Sequence, residues 1–176
     1  MAGTPLFKPF EHPDQARFGK TRALFAYWQT LRTERDRPAR TDLDPAKMKP
    51  FLPNVVTGHI ETEPFRVLYR LVGTTVAEYS RLDFSNRYLD QLQTDRRDNV
   101  DWSACYRFIH AHRVPIIGDS GVMDASGAVI HLYEYAVLPL WRDDDPAGAF
   151  VGIEVYDDLR DYRIADLNRV ELKRGS

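Results

Sequence analysis

Cysteine is almost missing from this chain, whose 176 residues contain only Cys105. A lone thiol closes no internal disulfide and builds no multi-thiolate zinc site, which fits a reducing compartment. Long apolar runs are missing as well. No stretch approaches the roughly 20 apolar residues that cross a bilayer. The opening, MAGTPLFKPFEHPD, is broken by prolines where a signal peptide needs an apolar core. A soluble, cytoplasmic protein with no membrane partner is expected. Neither sign of charge dominates: 24 Lys+Arg against 26 Asp+Glu give −2. No basic block is long enough to follow a phosphate backbone, so nucleic acid is not an expected partner. The glycines are scattered, without GxGxxG or GxxxxGK spacing, and no Gly-x-Ser-x-Gly elbow, HExxH or Cys-x-x-Cys occurs. Phosphate-loop, serine-hydrolase and zinc chemistry lose their usual signatures.

What the sequence has is apolar substance, 43% hydrophobic and 12% aromatic. One domain of this size removes roughly 70% of its unfolded surface from water. Three prolines lie within the first 13 residues and suggest an irregular arm. Asp14 is placed to cap a helix running to about Arg32. Its Phe18, Thr21, Leu24, Phe25, Trp28 and Leu31 recur at helical spacing and form one stripe. Asp44 before Pro45 signals a short helix, a capping carboxylate ahead of proline. The runs NVVTGHIET and FRVLYRLV, joined by Glu63-Pro64, read as a hairpin. Short helical turns are expected at Thr74–Tyr79 and Tyr88–Leu92. Asp98 and Asp101 then open a helix to about His112, with Trp102, Cys105, Tyr106 and Ile109 on one face. Three strands follow, in VPIIGDSGVM, Ala128–Trp141 and AFVGIEVY.

Two strands, a helical segment and three strands do not fit a doubly wound sheet. The expected class is α+β: a five-stranded antiparallel sheet with a helical insert over one face and an N-terminal amphipathic helix. The chain divides into an arm and helix at 1–36, a domain at 37–157, and a charged tail at 158–176.

The order resembles the PAS domain superfamily, and within it a compact, stand-alone bacterial family. The residues that carry the resemblance are Arg37-Pro38-Ala39-Arg40, Asp44-Pro45, Phe51-Leu52-Pro53-Asn54-Val55, Phe65, and Tyr69-Arg70-Leu71-Val72-Gly73-Thr74. Val114-Pro115 and Leu138-Pro139-Leu140 complete it. Asn86 stands where glycine is expected before Tyr88-Leu89, and asparagine tolerates the left-handed conformation. The resemblance implies a sensory, signalling or docking module, with ligands held between sheet and insert and dimers formed through the flanking helix. It supplies no catalytic residue and names no ligand. The chain has no room for an output domain, so a separate signalling protein is the implied recipient.

The insert supplies Tyr79, Phe84, Tyr88, Trp102, Tyr106 and Ile109, apolar walls with a few hydroxyls, and Glu134 is the polar group offered to them by the fourth strand. A close-packed core would look the same. Glu134 and Glu154 lie on neighbouring strands. Together, or with His59, they define the alternative of a small cone-type isomerase or dehydratase with a buried general base. Paired with Arg66 or Arg70, they would only be structural. His110 and His112 are two apart on a helix and cannot chelate one ion. No cofactor is required by the sequence. One imidazole is little support for haem, and Cys105 lacks the Asn-Cys-Arg setting of a flavin-adduct thiol. The stripe Phe18, Leu24, Phe25, Trp28, Leu31 either covers the chain's own sheet or meets a partner helix, as in a homodimer.

Overall fold

Nearly continuous apolar runs in the late strands leave two greasy faces on one sheet, and both must be covered. The computed structural model describes residues 7–92, 98, 100–142 and 148–157. Its sheet has six strands in the order β1-β4-β5-β6-β2-β3, all antiparallel. They are β1 Phe7–Pro9, β2 Val55–Thr62, β3 Phe65–Val72, β4 Ile116–Met123, β5 Val129–Leu140 and β6 Ala149–Asp157. The helices are α1 Gly19–Glu34, α2 Pro45–Met48, α3 Thr74–Ser80 and α4 Trp102–His112.

The expected class is present, with one strand more than expected. The extra strand is β1, in the segment expected to be an irregular arm. Phe7, Lys8 and Pro9 pair with Gly118, Ile117 and Ile116 at the sheet's edge, a position where proline is tolerated. The start of α1 also differs. Asp14 sits in a 3-10 turn, Pro13–Gln15, and the residue before α1 is Phe18, whose side chain caps nothing. Glu134 of β5 takes that task from across the fold. Its carboxylate accepts from the Arg17 N–H at 2.7 Å and from the Phe18 N–H at 3.4 Å.

Other local signals hold. Asp44 caps α2 through the Ala46 N–H, and Asp101 caps α4 through the Ala104 N–H. Asn86 has φ 59°, in the left-handed region. Gly73 allows a close approach that no other residue permits. A Cβ there would run into the carbonyl oxygens of Leu52 and Pro53. The 158–176 tail lies outside the described residues.

α1 and α2 lie on one side of the sheet, the α1 side. There Leu24, Phe25, Trp28 and Met48 pack on Ile117, Ala136, Leu138, Val151 and Ile153. α3, α4 and the loops between them lie on the other, the insert side. There Val76, Phe84, Trp102, Cys105, Tyr106 and Ile109 pack on Val67, Tyr69, Tyr133, Tyr135, Val137 and Phe150.

Candidate functional site

The insert-side interior is built by alternation. Odd residues of β5 and even residues of β6 point to it, so Tyr133, Tyr135, Phe150, Glu154 and Tyr156 share that face. Facing them, α4 places Trp102, Cys105, Tyr106 and Ile109 at three- and four-residue spacing, all buried. The rings touch in succession. Tyr79 stacks on Tyr156 at 4.6 Å, and Tyr156 on Tyr133 at 5.0 Å. Trp102 meets Tyr135 at 4.8 Å, Tyr106 meets Phe150 at 4.6 Å, and Tyr69 meets Phe84 at 4.7 Å.

Polar groups inside are bonded to one another. Tyr133 donates to Asp98 at 3.0 Å, and Trp102 Nε1 donates to the same carboxylate at 3.2 Å. Asp98 thus ties the start of α4 to β5. The Tyr156 hydroxyl donates to Glu154, which is 4% exposed. Burial pushes the Cys105 thiol up to about 12, and burial beside Cys105 raises Tyr135 as well. A thiol held neutral in this way is a poor nucleophile.

Of the residues expected to form a pocket, Phe84, Trp102, Tyr106 and Ile109 come together in this interior. Tyr79 is half-buried at its rim, against His131 at 4.7 Å. Tyr88 lies elsewhere, at the outer edge of β3. It donates to Glu61 at 3.0 Å, which raises its own pKa, and Arg66 covers its ring at 3.5 Å. Glu134 is on the opposite face of the sheet, beneath α1, and does not enter the interior. A cleft of about 150 Å³ opens beside the start of α4, between Leu89, Leu92, Asp98 and Trp102.

Sequence reasoning missed the strand rings Tyr69, Tyr133, Tyr135 and Phe150. The period-two phase that singled out Glu134 already placed Tyr133 and Tyr135 on the other face.

The expected carboxylate pair does not form. In register, Glu134 opposes Val155 and Glu154 opposes Tyr135, so the two side chains project to opposite faces. Neither pairs with Arg66, which binds Asp90 at 2.7 Å and holds that carboxyl below its ordinary range. His59 is half-buried on the α1 side of β2, distant in the register from both glutamates. Among the described residues Glu134, Glu154 and His59 are therefore not brought together in one site. His110 and His112 lie at the C-terminal end of α4, against Phe65 and Phe108. Cys105 is engaged with Tyr135.

The helix stripe is also settled in position. Leu24, Phe25, Trp28 and Leu31 are each 6% exposed or less, and Trp28 Nε1 donates to the Pro139 carbonyl at 2.9 Å. The stripe covers the chain's own sheet because that face of β5 and β6 is apolar and otherwise open to water. Those side chains are not free for a partner helix, and only Phe18 lies half-exposed at the helix start.

A single antiparallel sheet lidded by an insert between β3 and β4 defines a PAS-like module. A PAS domain family model matches residues 17–155, and the chain belongs to that family. Among solved structures it is similar to the light-state blue-light photoreceptor Aureochrome1 LOV, at 9% identity over 75% of this chain and 98% of that one, TM-score 0.44. It is also similar to an RNA-binding light-oxygen-voltage receptor, at 12% identity over 78% of this chain and 42% of that one, TM-score 0.45. No curated protein matches the chain.

Proposed function

We propose that this PAS domain is a sensory or signalling module that works by docking to a separate protein. What carries this reading is the insert-side interior, where seven rings (Tyr69, Phe84, Trp102, Tyr106, Tyr133, Tyr135 and Phe150) are each 5% exposed or less. A small ligand there would have to displace side chains already in van der Waals contact, at a cost that close packing makes steep. Surface recognition needs no such rearrangement. Family membership supports the signalling role, and the separation of Glu134 from Glu154 argues against acid–base catalysis.

Native mass spectrometry with an absorption spectrum on the purified protein tests the ligand half of this reading. The expected result is the mass of the bare chain and only aromatic absorption. A stoichiometric small molecule retained through purification would overturn it. Affinity capture tests the other half, and the expected result is a specific protein partner.

A further inference from the structure

The two helical layers do not cover the sheet equally. On the insert side, β2 and β3 are sealed: Val56, Ile60, Val67 and Tyr69 are each 4% exposed or less. On the α1 side Val55 is still covered, but β2 from Thr57 onward and the facing part of β3 lie beyond the edge of the helical layer. The register places Thr57 beside Leu71 and His59 beside Leu68. Thr57, His59 and Leu68 are half-exposed and Leu71 is 41% exposed. This shelf is closed at one end by Tyr88, which reaches Glu61 under Arg66. Two exposed guanidinium groups flank it, Arg70 from β3 and Arg40 from the turn packed over β6. Among the described residues neither makes an ion pair.

We propose that the shelf formed by Thr57, His59, Leu68 and Leu71, flanked by Arg40 and Arg70, docks an acidic, leucine-bearing polypeptide segment of the partner protein. The proposal rests on the docking reading above and deepens it.

Three considerations fix the occupant. Half-exposed leucines next to buried strand residues offer apolar anchor sites, and guanidinium groups that make no ion pair among the described residues favour carboxylates at the rim. Among the described residues the charges acting on the shelf are mainly positive. Burial lowers the pKa of His59 and the charges of Arg142, Arg40 and Arg70 lower it further, against Glu61 in the other direction. A second copy is a poor occupant, because a two-fold contact lays the same patch on itself and brings like guanidinium groups together.

The test uses the whole chain, isotope-labelled for amide NMR, titrated with a fluorescein-labelled peptide of alternating glutamate and leucine. A lysine–leucine peptide is the control. The expected result is saturable binding of the acidic peptide alone, weakening with salt, with shifts concentrated at Thr57, His59, Leu68 and Leu71. Arg40→Glu with Arg70→Glu, both exposed positions, should weaken it by about tenfold or more. Leu71→Ser should weaken it by a smaller factor. Absence of binding, or shifts that map to another surface, overturns the shelf while leaving the docking reading standing. A small molecule retained in the interior overturns the docking reading whatever the peptide does. Concentration-dependent self-association that Leu71→Ser abolishes would assign the shelf to a second copy and overturn the acidic partner.

Discussion

The two faces of β3 present the sharpest contrast in the molecule. Tyr69 is fully buried among rings on the insert side, whereas Leu71, next but one along the strand, is 41% exposed on the α1 side. A register shift between Thr57 and Gly58 lets Gly58 oppose Tyr69 while Thr57 opposes Leu71. One strand thus finishes a core with one face and offers a surface with the other. The difference teaches where this PAS domain has placed its apolar residues: the insert-side interior is closely packed, while Leu71 on the outside of β2–β3 is left exposed. Substitutions on the two faces should therefore differ in kind, insert-side changes costing stability and shelf changes costing recognition.

The largest effect should come from the insert side. Phe150→Ala removes a ring packed against both Tyr106 and Tyr69. It should destabilise the domain by about 3–5 kcal/mol in urea unfolding. A loss well below 1 kcal/mol would mean the interior is loose, and the closed-core argument would fail. Next is Glu134→Ala, on the α1 side. It leaves the part-buried Arg17 and Phe18 N–H groups without their acceptor, at about 1–3 kcal/mol. Glu134→Gln retains an acceptor and should cost less. Equal losses for the two variants would show that Glu134 acts through its charge and not through those bonds.

How much of this was legible in the sequence follows from the range of the interactions involved. α4 and its cap at Asp101, the hairpin β2–β3 and the Asp44 cap depend on neighbours in the chain, and spacing revealed them. β1 depends on pairing with residues more than 100 positions away, and its proline-rich sequence carries no strand signal. The start of α1 was misread for the same reason, since its cap comes from Glu134. The interior was half legible. α4's stripe stood out by helical period, while Tyr133 and Tyr135 were hidden in a continuous apolar strand buried on both faces, where alternation of polarity disappears. The shelf was beyond sequence reading, because coverage by a helical layer is decided by where that layer stops.

Smaller again is Tyr133→Phe, which removes one hydroxyl bond to the Asp98 carboxylate and leaves that carboxylate with Trp102 and the Val100 N–H. A loss of about 0.5–1.5 kcal/mol is expected. On the shelf, Leu71→Ser should change stability by no more than about 0.5 kcal/mol. A loss matching that of Phe150→Ala would show that Leu71 belongs to the core and would erase the contrast between the faces.

The finest probe of that contrast is pH. His59 has a folded pKa below its unfolded value of 6.5, with burial and the charges of Arg142, Arg40 and Arg70 as causes. The unfolded chain therefore binds more protons between the two values, and stability rises with pH across that window. The contribution is fully present above the unfolded pKa and is lost as pH falls through the folded one. Urea midpoints for wild type and His59→Gln should lie close together above about pH 6.5, where the imidazole is neutral in both states, and separate as pH falls, the wild type losing stability that the glutamine variant keeps. Removing the arginines by Arg40→Gln with Arg70→Gln should move the lower edge of the window upward towards the unfolded value. An unmoved window would leave burial alone as its cause and remove the positive field from the case for an acidic partner.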